Sequence, residues 1–154
     1  KDCHLDFINS GAEIILTNTF GCRRRRLEEN QIENRFEELN TTAVNLAKQS
    51  VKESGKKVLI AGSLPPQNFT YLPELGDKRK IKQNFYDQAK ILNEGVDLFY
   101  LDVLSSFDEI EIAVQSIRDF NKPFVIGIHF KKNGLLPSGE KLCDVIEKVK
   151  NFKP

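Results

Sequence analysis

Four short apolar runs in this chain each end in residues able to do chemistry. Ile14, Ile15 and Leu16 lead into Thr17, Asn18 and Thr19, and residues 58–61 lead into Gly62 and Ser63. Residues 98–101 close on Asp102, and residues 124–128 close on His129. Apolar runs of this length, closed by small polar residues, read as buried strands of a parallel sheet. In α/β proteins ligands sit beyond the carboxyl ends of such strands, so the polar residues are expected on one rim. A carboxylate there can hold a substrate ammonium or exchange a proton, because an unpaired charge in an apolar setting is expensive. His129 is able to act as acid or base, and equally to serve as a structural histidine. Asn18 and Thr19 can contact a ligand or satisfy their own backbone, and Ser63 can bind or simply pack a tight turn.

The elements between these runs must position them. Residues 3–9 read as the end of a helix stopped by Gly11, and residues 28–54 as a long helical stretch. Asn40, Thr41 and Thr42 are expected to break that stretch in two, since Asn and Thr favour caps over helix interiors. A loop holding Pro65, Pro66 and Pro73 follows the second strand. It is longer than most connections in compact domains, and such loops are often functional. Residues 80–93 form an amphipathic helix burying Ile81, Phe85, Ala89 and Leu92. A further helix reaches residue 120, with Ser105 or Ser106 as N-cap and Glu109 completing a capping box with Ser106. Pro123 opens the fourth strand, and residues 140–149 make a last helix.

Strands and helices alternating four times, with strands too apolar to face water, demand a parallel sheet covered by helices. A (β/α)8 barrel cut short and a small doubly wound sheet both satisfy this. A complete barrel needs roughly 250 residues, and this chain has 154. The opening on a helix, the absence of methionine and the approach of residues 151–154 to another strand favour a fragment.

Composition narrows the function classes. A chain 40% hydrophobic and 29% charged is ordinary for one globular domain, and a net charge of +1 gives no pull toward nucleic acid, membrane or acidic substrates. Cys3, Cys22 and Cys143 are odd in number and widely spaced, which indicates neither a disulfide framework nor a local zinc knuckle. A cytoplasmic protein is expected. No apolar stretch approaches the about 20 residues of a membrane helix. Oligomeric state is not legible.

Residues 7–20, from Phe7 through Gly11 to Thr17, Asn18, Thr19 and Phe20, resemble a segment of the homocysteine S-methyltransferase family. Ala61 to Pro66 resemble the family's "vaGSigP" segment, and residues 45–48 the helix before it. Residues 92–102 resemble "l.eaGvDll..Et", and residues 123–139 a fourth segment. The matches keep order and spacing over nearly the whole of residues 1–154. The resemblance implies a partial (β/α)8 TIM barrel, four parallel strands standing as about strands 2 to 5. It implies methyl transfer from a small donor to the thiolate of homocysteine, giving methionine. In the family, residues matching Asn18 and Thr19 line the homocysteine pocket, and a glutamate matching Asp102 binds the substrate's amino group. Aspartate keeps that charge on a side chain one methylene shorter. Ser63 matches the serine of the "GS" turn, and His129 is carried by position alone.

The family activates homocysteine on zinc held by three cysteines in "GvNC" and "GGCC" segments, where the metal lowers the thiol's pKa. Neither segment is present here. The zinc ligands, like the family's first strand, are therefore expected outside this chain, with no metal site within it. The run Arg23 to Arg26 could neutralise phosphates, but Glu28, Glu29 and Glu33 follow at once and no aromatic ladder interleaves it. A solvated loop face is expected, with one arginine near the substrate entrance as in the family. Two rivals remain from the residues themselves. One is another barrel enzyme using Asp102 and His129 as acid and base. The other is a flavodoxin-like binding module, for which a phosphoacceptor site lacks its acidic pair after the first strand.

Overall fold

In the computed structural model, which describes residues 1–152, four parallel strands lie side by side in sequence order. They are β1 (Ile14–Leu16), β2 (Leu59–Leu64), β3 (Leu98–Leu104) and β4 (Phe124–Ile128). The helices are α1 (Asp2–Asn9), α2 (Arg24–Glu29), α3 (Phe36–Ser54), α4 (Lys78–Asn93), α5 (Phe107–Ile117) and α6 (Leu142–Val149). Sequential parallel order is what right-handed β–helix–β crossovers of this length produce.

Alternation along the strands separates two faces. Ile15, Ile60, Leu64, Phe99, Leu101 and Leu104 join the buried cluster together with Phe85, Ala89 and Leu92 of α4 and Ile110 and Ala113 of α5. This layer is complete. The register pairs Ile14 with Leu59, Ser63 with Tyr100, and Tyr100 with Val125, so these residues share the other face. Among the described residues no helix covers it: Ile14, Leu16, Leu59 and Val125 are 46%, 40%, 43% and 48% exposed.

The caps follow the chemistry of their residues. Asp77 accepts from the backbone N–H groups of Arg79 and Lys80 to start α4, and Gly55 ends α3 at φ 64°. Ser106 accepts from the Glu109 N–H at the start of α5. The Glu109 carboxylate bonds the N–H of Ser105 at 3.0 Å, one residue short of the capping-box pattern.

Two expectations are corrected. The long helix does not break at residues 40–42; α3 is continuous, and the interruption falls at residues 30–32, where Gln31 sits at φ 59°. Asn40 is kept in mid-helix because its amide nitrogen donates to the carbonyls of Phe36 and Cys22 while its oxygen accepts from Gln88. The arginine run is not a loop face either. Arg24, Arg25 and Arg26 open α2, and Arg23 caps it while half-buried.

Candidate functional site

The site lies at the carboxyl rim, where a cleft of 740 Å³ takes in Leu16, Asn18, Phe20, Cys22, Ser63 and Asp102. Each comes from a strand end or the turn beyond it. The cleft runs along the open edge of β1, bounded by α1 and α3.

Ser63 is held by two hydroxyls. Its N–H donates to Thr17 Oγ1 at 3.1 Å, and its carbonyl accepts from Thr19 Oγ1 at 2.6 Å. The two threonine oxygens are 2.9 Å apart. Because the Thr19 proton goes to the Ser63 carbonyl, Thr17 must donate to Thr19, and every proton in the ring has one place. Thr17, Thr19 and Ser63 are all buried. With its backbone fixed, Ser63 donates its own hydroxyl to Asp102 Oδ2 at 3.2 Å.

Asp102 stands where β3 departs from regular pairing. Leu101 pairs with Ile126 but Leu104 pairs with Ile128, so Asp102 and Val103 together oppose Gly127. Val103 takes φ 58°, a left-handed conformation that β-branched residues rarely adopt. The bulge re-aims the strand end that carries the carboxylate. Gly127 accommodates it: a Cβ there would lie 2.7 Å from Tyr100 Oη and 3.2 Å from the Val103 nitrogen. Burial raises the Asp102 pKa above the ordinary carboxylate value, and the Ser63 hydrogen bond offsets part of that. Tyr100 is pushed up as well, by burial and then by the negative charge of Asp102.

The five residues singled out from sequence do not all meet. Asn18, Ser63 and Asp102 line the cleft, with the Asn18 side of the turn exposed. Thr19 is fully buried and its hydroxyl is spent on Ser63. His129 lies at the end of β4 with its ring centroid 4.8 Å from that of Tyr71. No hydrogen bond joins it to Asp102 among the described residues. Thr17 and Glu109 were named in the sequence only as a strand-end residue and a cap residue, not as parts of the site. Thr17 carried a usable signal, being a third hydroxyl residue in the same strand end. Glu109 is 1% exposed, and burial lifts its carboxyl to about 7, with the Ser105 N–H and the nearby Arg23 charge pulling the other way.

The metal-ligating residues do not assemble. Among the described residues no three His, Cys, Asp or Glu side chains are grouped as metal donors. Cys3, Cys22 and Cys143 are free thiols, and burial raises that of Cys22, opposite to the shift a metal-ready thiolate needs. Zinc held by this chain alone does not fit these residues. No helix among the described residues is long and apolar enough to cross a membrane.

Comparison with known proteins supplies the remaining findings. The profile of the family described as homocysteine S-methyltransferase matches residues 1–154. Homocysteine S-methyltransferase 2 of Saccharomyces cerevisiae is 24% identical over 162 residues, covering 99% of this chain and 50% of that protein. S-methylmethionine–homocysteine S-methyltransferase BHMT2 of Rattus norvegicus is 24% identical over 127 residues, 82% of this chain and 32% of that one. The crystal structure of the homocysteine methyltransferase MmuM from Escherichia coli in its oxidized form superposes with a TM-score of 0.84 at 19% identity, covering 98% of this chain and 57% of that one. The chain thus spans about half the length of the yeast relative and about a third of the rat one. Its four strands and their helices are an arc of a (β/α)8 barrel.

Proposed function

This chain belongs to the homocysteine S-methyltransferase family, and from that premise we propose that the complete protein transfers a methyl group from a small donor to the sulfur of homocysteine, giving methionine. The observation that carries the reading is Asp102: a half-buried carboxylate at a barrel strand end, aimed into the cleft and steadied by Ser63.

In this reading Asp102 accepts the substrate ammonium. The Ser63 hydroxyl occupies Oδ2 and leaves Oδ1 for the substrate. Asn18, exposed on the opposite wall, offers its amide to the substrate carboxylate. Thr19 acts on the substrate through Ser63, while His129 packs on Tyr71 at the end of β4. These groups bind and orient a charged amino acid whose sulfur reacts elsewhere in the barrel. The zinc that lowers the thiol's pKa in this family belongs, in our reading, to residues beyond this chain, as does the barrel's first strand. Residues 1–154 are then the amino-acid-recognition part of a partial domain, working in the cytoplasm without nucleic acid or membrane.

Incubating the zinc-loaded full-length protein with homocysteine and a panel of sulfonium, betaine and methylfolate donors, and measuring methionine, tests this. Methionine formation with a KM for homocysteine that rises in Asp102→Asn supports it. Absence of methionine with every donor overturns it.

A further inference from the structure

The arginine run and the proline loop, which the substrate-binding residues do not use, meet beyond the carboxyl ends of the strands. Arg25 donates to the Asn68 side chain and lies 3.8 Å from the centroid of the Phe69 ring. Arg23 Nη2 donates to Thr70 Oγ1 at 3.1 Å, and the same guanidinium packs over Phe20. Tyr71 takes φ 67° and sets its ring against His129. Of four consecutive residues in the loop after β2, Asn68, Phe69 and Thr70 are therefore tied to the arginines at the start of α2, and Tyr71 to the end of β4.

Strand order gives this its meaning. Between β2 and β4 lies β3, so the Tyr71–His129 contact crosses the end of the strand that carries Asp102. The His129 N–H donates to the Leu104 carbonyl at 2.8 Å, which ties the far anchor to β3 itself. Tyr71 is nonetheless 54% exposed, and so are its chain neighbour Leu72, at 48%, and Phe130, next to His129, at 51%. Its seat depends on one ring contact and a strained backbone, whereas the near end is held by two guanidinium groups.

We propose that residues 68–71 form a strap across the mouth of the site, and that Arg23 and Tyr71 are its positioning residues. Arg23 fixes the β1 end, and Tyr71 resting on His129 sets the height of the ceiling above Asp102 and Ser63. The proposal rests on the reading of Asp102 as the ammonium partner. A ceiling that excludes water strengthens an ammonium–carboxylate pair beneath it. The strap must lift for the substrate to enter and settle once it is bound.

Chymotrypsin cleavage of the full-length protein at Phe69, followed with and without homocysteine, together with steady-state kinetics, tests the strap. We expect homocysteine to slow cleavage of the wild type several-fold, and Tyr71→Ala to be cut about ten-fold faster and to lose that protection, as local opening becomes easier. KM for homocysteine should rise about ten-fold in Tyr71→Ala while kcat changes little, and Tyr71→Phe should restore both, since the ring makes the contact. Arg23→Lys, which keeps the charge but loses the forked donor, should reproduce the faster cleavage. Unchanged cleavage and unchanged KM in Tyr71→Ala would overturn the strap. If Tyr71→Ala is cut faster but the wild type forms no methionine, the strap stands as structure and the homocysteine reading falls. Methionine formation with cleavage indifferent to homocysteine and to both variants keeps the function and removes the strap.

Discussion

Thr19 Oγ1 donates to the carbonyl of Ser63 at 2.6 Å, across 44 residues of chain, and so joins the end of β1 to the end of β2 by a side chain rather than by the sheet ladder. With Thr17 it holds Ser63 from both sides of its peptide. A residue that resembles a substrate ligand in sequence thus spends its hydroxyl on Ser63.

Thr19→Val keeps the shape and removes the donor, leaving the Ser63 carbonyl and the Thr17 hydroxyl short of partners in a buried place. A loss of about 1–3 kcal/mol in stability is expected. KM for homocysteine should rise as Ser63 loosens, and Thr19→Ser should restore most of both. Urea unfolding beside steady-state kinetics reads the two effects. A fully stable Thr19→Val would remove the ring from the account of the site.

Replacing Asp102 by Asn removes the charge that, in the proposed function, holds the substrate ammonium. A charge-assisted hydrogen bond contributes roughly 1.5–3 kcal/mol, so KM should rise about ten-fold to over a hundred-fold with a smaller change in kcat. Asp102→Glu, the residue usual in the family, should be tolerated better. Because burial raises the Asp102 pKa, KM in the wild type should climb on acidification before an ordinary carboxylate would protonate. A collapse of kcat alone in the Asn variant would point to proton transfer instead.

Glu109 should make the protein less stable as pH rises. Its carboxyl titrates at about 7 in the fold against an ordinary 4.5, so between those values the folded chain holds a proton that the unfolded chain has released. Stability is therefore greatest below the lower value and falls until the upper one is passed, by about 3 kcal/mol in all. Glu109→Gln keeps an acceptor for the Ser105 N–H and cannot ionise. Denaturant midpoints at pH 5 and pH 8 should converge in the variant relative to the wild type; parallel behaviour of the two proteins would show that Glu109 is charged throughout.

Gly127→Ala tests the bulge. The new methyl group meets the Tyr100 hydroxyl and the Val103 backbone, and the latter cannot move without carrying Asp102 along. Overpacking of this kind costs about 1–3 kcal/mol. A KM increase for homocysteine should accompany the lower melting temperature, whereas a methyl group absorbed by Tyr100 alone would lower stability and leave KM as it was.

Strand positions and helix ends were legible because local chemistry decides them: apolar runs between polar stops, Ser106 as N-cap, Gly55 past the end of α3. The misread stretch, residues 23–42, is decided by partners far away in sequence. Arg24 pairs with Asp87, Arg25 with Asn68, and Asn40 with Gln88, and each of these contacts turns a loop-like or cap-like residue into a fixed one. Arginine is itself a good helix former, a local signal that the density of charge obscured. The bulge at Asp102 and Val103 left no trace either, since valine is about the last residue its conformation would choose.

The two faces of the sheet divide the labour of the molecule along every strand. Side chains at Leu64, Phe99 and Leu101 belong to the buried layer that holds the fold together, while Leu16, Ser63 and Asp102 on the other face meet the cleft. Parity therefore decides whether a substitution is felt as a melting temperature or as a substrate preference. Such an arrangement makes the fold evolvable: a new ligand can be sampled on alternate positions of the strands while the layer that pins those strands stays untouched.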